Sequence, residues 1–197
     1  MYVDIYNTNK KYNIIYADPP WAYKDKRNDY KMSGGVTKHY KTMKIEDIEN
    51  MGDTIQKIAA EDCILFMWAT FPNLIEALKV IKAWGFTYKT LGFSWIKTNK
   101  RDGKPFFGIG FYTKSNCEVC LLATKGKPSN LKISNYVSSC IISERREHSR
   151  KPDEARERIT QLVGQVPKIE LFARQTVDNW DCWGNEVGGE DEYRNKV

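Results

Sequence analysis

A short run of unusual residues, Asp18-Pro19-Pro20-Trp21, directly follows an apolar segment at residues 13–17. The apolar segment predicts a buried strand. That strand must end at the prolines, because proline lacks the N–H that a ladder needs and restricts the residue before it. Strand termination alone would explain two prolines. A carboxylate before them and an indole after them match a more specific chemical need.

That need is the activation of an exocyclic aromatic amine, such as N6 of adenine, whose lone pair is delocalised into the ring. Asp18 offers a carboxylate, and Pro19 offers a rigid carbonyl with no competing N–H nearby. Accepting the two amine hydrogens would draw the nitrogen towards tetrahedral geometry and stabilise the charge that forms there. Trp21 offers a flat face for the base. A methyl donor needs only to be held in line, so positioning would supply most of the catalysis.

Strand-like and helix-like apolar blocks alternate along the chain, which predicts an α/β fold. Further strands are expected at residues 63–69, 90–96, 118–123, 137–142 and 169–173. Helices are expected at residues 45–59, from Pro72 to Gly85 with Leu74, Leu78 and Ile81 on the apolar face, and from Pro152 to Gly164 with Ala155, Ile159 and Val163 on one side. Helical connections predict parallel neighbours, and ligands of such sheets bind beyond the carboxyl ends of the strands. Asp18 and residues 170–174 both fall at such ends.

Composition favours one compact domain at residues 1–187, followed by a polar tail at 188–197. The formal net charge of +6 suits a polyanionic partner without proving one. Of the five cysteines, Cys117 and Cys120 have the spacing of a metal-binding pair, but no second Cys/His pair follows at zinc-site distance. No metal is therefore expected. With no secretory signal and no apolar run of membrane-spanning length in the sequence, we expect a cytoplasmic protein without membrane contact.

Seven segments occur in the order found in one known family. They are Asp18-Pro19-Pro20-Trp21 and residues 39–43 (HYKTM), 95–99 (WIKTN), 118–126 (EVCLLATKG), 148–153 (HSRKPD), 168–174 (KIELFAR) and 183–185 (WGN). From about residue 13 to 187 the chain resembles the family of the catalytic subunit of eukaryotic messenger RNA N6-adenosine methyltransferase and its bacterial and phage relatives. The resemblance implies a Rossmann-like methyltransferase sheet, permuted so that the catalytic motif precedes the cofactor motif.

The resemblance also implies S-adenosyl-L-methionine as the cofactor. The positions that match the family's cofactor contacts are Asp4, Ile5, Asp18, Glu170, Phe172, Arg174, Asn185 and Glu186. The chain departs from the eukaryotic pattern at Gln175-Thr176-Val177, which replaces Pro-His-Asn, and at Glu186, which replaces a glutamine. Cys117 stands where the family has a lysine, and Asn116 could take over part of that role. These departures favour the bacterial or phage branch.

Two loops rich in basic and aromatic residues, 22–41 and 97–114, are expected to flank the acceptor pocket. Two solvated loops are the alternative. We favour substrate loops that gather phosphates and stack bases. The candidate substrate-binding residues are Tyr40, Lys97, Asn99, Lys100, Arg101, Lys104 and Asn116. Arg145, Arg146, Arg150 and Lys151 would extend this basic surface, or pair with Glu144 and Glu147.

The preferred interpretation is therefore an adenine-N6 methyltransferase acting on nucleic acid, with DNA preferred over RNA. A non-catalytic nucleic-acid-binding partner subunit is a further alternative, which the intact Asp18-Pro19-Pro20-Trp21 disfavours. A small-molecule methyltransferase is disfavoured by the basic loops. The sequence leaves open the recognition sequence, the strand preference and the oligomeric state.

Overall fold

A mixed seven-stranded sheet organises the chain. The structure, a computed structural model, describes residues 1–22, 42–110, 112–146 and 150–187. In these ranges the strands are β1 (Tyr12–Ala17), β2 (Ala59–Ala69), β3 (Thr87–Thr98), β4 (Glu118–Lys125), β5 (Cys140–Glu144), β6 (Lys168–Leu171) and β7 (Asp181–Trp183), in the spatial order β5-β3-β4-β2-β1-β6-β7. The helices are α1 (Ile45–Asn50), α2 (Gly52–Ile58), α3 (Leu74–Ala83) and α4 (Glu154–Val163).

Both faces of the sheet are buried because alternate residues of its central strands point to opposite sides. On β1, Ile15 and Ala17 join one core cluster, whereas Ile14 and Tyr16 join the other. The first cluster also contains buried residues of α1, α2 and α3, and the second contains those of α4. The α/β prediction is therefore confirmed, with helices packed on both faces of one sheet.

The predicted helix at residues 45–59 is instead two helices, interrupted at Met51. A Cβ atom on Gly52 would lie 2.6 Å from the carbonyl oxygen of Ala83, so the chain passes close against the end of α3. Only glycine permits such an approach. The first strand residue, Ala59, follows α2 directly. The interruption depends on a tertiary contact that helical periodicity does not encode.

The prediction of parallel neighbours is wrong for β4, which runs antiparallel to both β2 and β3. The other four strand pairs are parallel. The connection between β3 and β4 contains no helix within the described residues, so it can return the chain at the same edge. Strand β5 begins three residues later than predicted, and the three-residue strand β7 was too short to predict.

The apolar face of α3 also differs from the prediction. Ala77, Val80 and Ile81 are buried, whereas Leu78 is 37% exposed. By contrast, α4 buries Ala155, Ile159 and Val163 as predicted. Both closing glycines, Gly85 and Gly164, have the positive φ angles expected after a helix. None of the described helices is long and apolar enough to cross a membrane.

Candidate active site

Three carboxylates lie at one edge of the sheet and on one of its faces. Asp18 follows β1, Glu170 lies near the end of β6, and Glu118 begins the antiparallel β4, so all three lie at the carboxyl edge of the parallel strands. Their immediate strand neighbours Ala17, Val119 and Leu171 join the core cluster of α1 to α3. Side chains alternate along a strand, so the three carboxylates face the α4 side instead.

Lys151, just before α4, bridges two of these carboxylates. Its Nζ lies 2.9 Å from Asp18 Oδ2 and 3.1 Å from Glu118 Oε2. Lys97 at the end of β3 donates a hydrogen bond to the other oxygen of Glu118. The Lys151 side chain is only 9% exposed, and that of Asp18 is 21% exposed. The result is a buried string of alternating charges, Lys97–Glu118–Lys151–Asp18.

Burial and ion pairing act differently on the charges of this string. Burial raises the pKa of Asp18 above its ordinary value, and the opposing effect of Lys151 only partly offsets it. Burial alone would also raise the pKa of Glu118, but Lys151 and Lys97 outweigh burial and lower it. The two carboxylates raise the pKa of Lys151 despite its burial. Lys151 therefore stays charged, and the pKa values of its two carboxylate partners shift in opposite directions.

A second ion pair stands beside the first. Arg156 on α4 donates from Nη1 to both oxygens of Glu170, at 3.1 Å each, and pairs with Asp153 through Nη2. Burial raises the pKa of Glu170 to about 7, although Arg156 opposes it. Glu170, predicted to bind the cofactor, is thus held by a neighbouring helix. Its cofactor role stays a prediction.

The Asp18-Pro19-Pro20-Trp21 turn is fixed by its own backbone. The Trp21 N–H donates to the Pro19 carbonyl and the Met43 N–H to the Pro20 carbonyl, both at 2.9 Å. The expectation that no N–H competes for Pro19 is therefore wrong. Since a carbonyl oxygen has two lone pairs, it can still accept from a substrate. The Trp21 indole donates to the Trp68 carbonyl at 3.0 Å and is only 6% exposed, so its role as a stacking face stays a prediction.

The segment after β6 takes a sharp turn that sequence patterning did not indicate. Phe172 has a φ of 59°, which ends the strand at Leu171 rather than at residue 173 as predicted. Such a conformation is rare outside glycine and clusters at functional sites. A Cβ on Gly184 would overlap the backbone of Ala173, so the two segments touch closely. The rings of Phe172 and Trp183 pack edge to face with centroids 5.5 Å apart.

The remaining predicted cofactor residues gather around this turn. Arg174 Nε lies 3.7 Å from Glu186 Oε1 across the two segments, and Asn185 is exposed beside them. Tyr2 bridges to Cys182 in parallel, which brings the amino-terminal segment alongside β7. Asp4 accepts the backbone N–H of Tyr6 at 3.0 Å, and Ile5 is buried in the core. We refer to these residues around the ends of β6 and β7 as the donor side.

The predicted substrate residues lie across β1 from the donor side, around the ends of β3 and β4, which we call the acceptor side. Asn116 receives the backbone N–H of Lys97 and donates to its carbonyl, both at 2.9 Å, so it braces the backbone there. Asn99 Nδ2 lies 3.5 Å from the Pro105 carbonyl. Lys100, Arg101 and Lys104 are exposed in the same turn. Tyr40 and the loop residues 23–41 lie outside the described residues, as does His148.

Sequence reasoning missed the roles of Glu118 and Lys151. Both lie in quoted motif segments, but Lys151 was expected on an exposed basic surface or opposite Glu144 and Glu147. The available signals were a charged residue opening an otherwise apolar strand and a lysine directly before a helix-opening proline. Neither signal shows that the two side chains meet. Among the described residues, no cluster of three or more potential ligands could hold a metal ion.

Comparison with known proteins identifies the family of this chain. A family model described as MT-A70 matches residues 12–186. The chain belongs to the MT-A70 family. This membership confirms the resemblance drawn from the motifs and, with it, the prediction of an adenine-N6 methyltransferase.

Individual relatives of this MT-A70 chain differ mainly in length. It is similar to the type II methyltransferase M.MunI of Mycoplasma sp, with 35% identity over 90% of this chain and 78% of that protein. It is 30% identical to an N(6)-adenosine-methyltransferase MT-A70-like protein of Drosophila melanogaster, and 28% identical to the human N(6)-adenosine-methyltransferase catalytic subunit METTL3. In both cases 91% of this chain is matched, but it spans only 27% and 29% of those proteins.

Proposed function

We propose that this chain transfers a methyl group from S-adenosylmethionine to N6 of adenine in DNA. The observation that carries the proposal is the buried Asp18 carboxylate, held by Lys151 between the donor and acceptor sides. The preference for DNA rests on the type II relative, which the chain matches over most of its length, whereas it spans under a third of the two eukaryotic enzymes.

In this proposal Asp18 and the Pro19 carbonyl accept the two N6 hydrogens of the target adenine. S-adenosylmethionine would supply an electrophilic methyl group. As the N6 lone pair forms the new C–N bond, the C–S bond of the donor breaks and one N6 proton passes to Asp18 or to water. Because burial raises the pKa of Asp18, the carboxylate is a better proton acceptor than an exposed aspartate. Lys151 keeps it fixed throughout.

The donor side has features that fit the cofactor. The left-handed turn at Phe172, and the close backbone contact of Gly184 with Ala173 that a Cβ would prevent, fix the main chain where the donor would bind. Arg174 and Asn185 would hold the ribose or carboxylate of the donor, Asp4 and Ile5 its adenine, and Glu170 its ammonium group. Arg174 and Glu170 carry charges opposite to those of the donor's carboxylate and ammonium groups.

The order of the two sides along the chain supports a permuted Rossmann-like arrangement. The catalytic turn follows the first strand, whereas the donor-side turns follow the last two. We propose that residues 1–187 form the methyltransferase domain. A cytoplasmic location stays a prediction.

The test is to incubate the protein with methyl-labelled donor and a panel of single- and double-stranded DNA and RNA. We expect labelled N6-methyladenine in DNA. Methylated product in RNA alone would show that RNA is the substrate and that the proposed preference for DNA is wrong. Turnover of free adenosine as fast as an oligonucleotide would overturn the nucleic-acid assignment.

Donor binding is tested separately by calorimetric titration with S-adenosylhomocysteine. We expect one site, weakened by Arg174→Ala and by Asn185→Ala. No binding together with no product would favour the partner-subunit interpretation. Donor binding with no product would locate the failure on the acceptor side.

A further inference from the structure

An arm whose described residues are 99–110 and 112–117 leaves the carboxyl edge of the sheet between β3 and β4. Isolated antiparallel bridges join Thr98 to Pro105 and Gly108 to Ser115, so the arm folds back on itself twice. The Gly108 N–H donates to the Ser115 carbonyl at 2.7 Å, and Ser115 Oγ donates to the Ile109 carbonyl at 3.0 Å. The outer part of the arm therefore has its own hydrogen bonds.

The base of the arm is fastened to the active site. Asn116 braces the backbone of Lys97 and also donates to the Phe106 carbonyl. Lys97 is the first member of the charged string that ends at Asp18. The guanidinium of Arg145 stacks over the Phe106 ring, 4.3 Å from its centroid. The base of the arm is thus in direct contact with Lys97, the first residue of the charged string that holds Asp18.

The tip of the arm presents large apolar side chains to solvent. Ile109 is 97% exposed, Tyr112 is fully exposed, and Phe107 is mostly exposed. Such exposure costs free energy unless a partner covers it. The described part of the arm also carries the basic residues Lys100, Arg101, Lys104 and Lys114 against a single acidic residue, Asp102. An apolar tip on a basic arm is complementary to stacked bases between phosphates.

We propose that Ile109 and Tyr112 form a wedge that enters the base stack of a DNA duplex and helps to expose the target adenine. The proposal rests on the proposed function and extends it to the way a paired base is reached. Ile109 is three positions after Phe106, so their Cα atoms are at most about 11 Å apart, which is roughly the length of three base steps of 3.4 Å. Apolar wedges of this kind unstack base steps, and the basic residues would hold the flanking phosphates.

The test uses the double variant Ile109→Ser/Tyr112→Ser and a matched control, Ile133→Ser/Tyr136→Ser. The control removes the same two residue types at the same spacing from another exposed segment. Methylation is measured on a duplex that the wild type modifies, on its isolated target strand, and on the duplex with an abasic site opposite the target. We expect a loss of about tenfold or more on the duplex alone, because opening a paired stack costs a few kcal/mol. The abasic duplex should restore the rate, and the control should match the wild type.

A second measurement does not depend on catalysis. A duplex with 2-aminopurine in place of the target adenine fluoresces more strongly when that base leaves the stack. Wild-type protein should raise the fluorescence, and the wedge variant should not, although both bind the duplex. Opening without methylation of any substrate would contradict the proposed function and support the wedge. Methylation of duplex DNA with no change in fluorescence would support the proposed function and contradict the wedge.

Three further outcomes would overturn the wedge. Equal losses on the single strand and the duplex would indicate general substrate binding by the tip. Unchanged duplex activity in the variant would show that the tip is not needed. A change in oligomeric state on sizing chromatography would assign the tip to a contact between copies of this chain.

Discussion

The acceptor and donor sides of Asp18 are held in different ways. On the acceptor side, buried charges pair in series, from Lys97 through Glu118 and Lys151 to Asp18. On the donor side, the backbone sets the shape through the positive φ of Phe172 and the contact of Gly184 with Ala173. Asp18 is therefore positioned by directed ion pairs between side chains, whereas the donor-side turns are positioned by close contacts of the main chain.

The largest expected effect comes from removing the bridge of the acceptor side. Lys151→Met leaves Asp18 and Glu118 buried without their shared cation, which should lower the free energy of unfolding by about 3–5 kcal/mol. Urea denaturation measures this loss. Adding Glu118→Gln should recover part of it, whereas Arg150→Met, which breaks a largely exposed pair, should cost about 1 kcal/mol or less. A Lys151 variant as stable as the wild type would show that the string does not hold this side.

Asp18→Ala should separate chemistry from stability. Lys151 keeps Glu118 as a partner, so the fold survives, whereas the transition state loses about 2.7–4 kcal/mol of stabilisation, a 10²–10³-fold lower kcat. Single-turnover kinetics on an oligonucleotide check the rate, and circular dichroism checks the fold. Activity within a few fold of wild type would contradict the assignment of Asp18.

Glu170 should make the stability of the protein depend on pH in a distinctive way. Its pKa is raised by burial from 4.5 to about 7, so the folded protein binds more protons than the unfolded chain between these values. Its contribution to stability therefore falls as pH rises from about 4.5 to 7, by at most about 3 kcal/mol at 1.36 kcal/mol per pKa unit. Glu170→Gln should remove this decline in melting experiments from pH 5 to 8. The same change of stability with pH in the wild type and in Glu170→Gln would show that Glu170 does not cause the decline.

Gly184→Ala tests whether the backbone shapes the donor side. The added methyl group overlaps the backbone of Ala173, and relief of the overlap should cost about 1–3 kcal/mol of stability. The two segments must then move apart, which should also weaken the binding of S-adenosylhomocysteine. Gly103→Ala is the control on the acceptor side: the added methyl group meets no atom within 4 Å, so its cost is limited to the backbone strain of a residue with a φ of 66°. Equal affinity of the two variants for S-adenosylhomocysteine would show that the contact at Gly184 does not shape the donor side.

The effect that becomes smallest at high salt should come from Lys100→Ala/Arg101→Ala/Lys104→Ala. If all three residues contact phosphates, the slope of log affinity against log salt for duplex DNA should fall by about 2.7, at 0.9 per contact. Donor binding should stay unchanged, because these residues lie on the acceptor side. An unaltered slope would show that the three residues do not contact phosphates.

The sequence predicted those parts of the site that depend on local patterning. The end of β1 at Asp18 followed from two prolines, and the buried side of α4 followed from the spacing of Ala155, Ile159 and Val163. The break at Gly52 and the direction of β4 could not be predicted, because each depends on contacts between distant segments. The same holds for Lys151, whose charge is buried only because two strand ends and the start of α4 converge.

The antiparallel direction of β4 has a consequence for how members of such a fold can diversify. Because β3 ends and β4 begins at the same edge, the arm between them both departs from and returns to the active site. Residues added to the arm would lengthen it outward without changing the register of any strand, and the entropic cost of a longer loop grows only slowly. The reach of the molecule along a substrate can thus change while its chemistry stays in place.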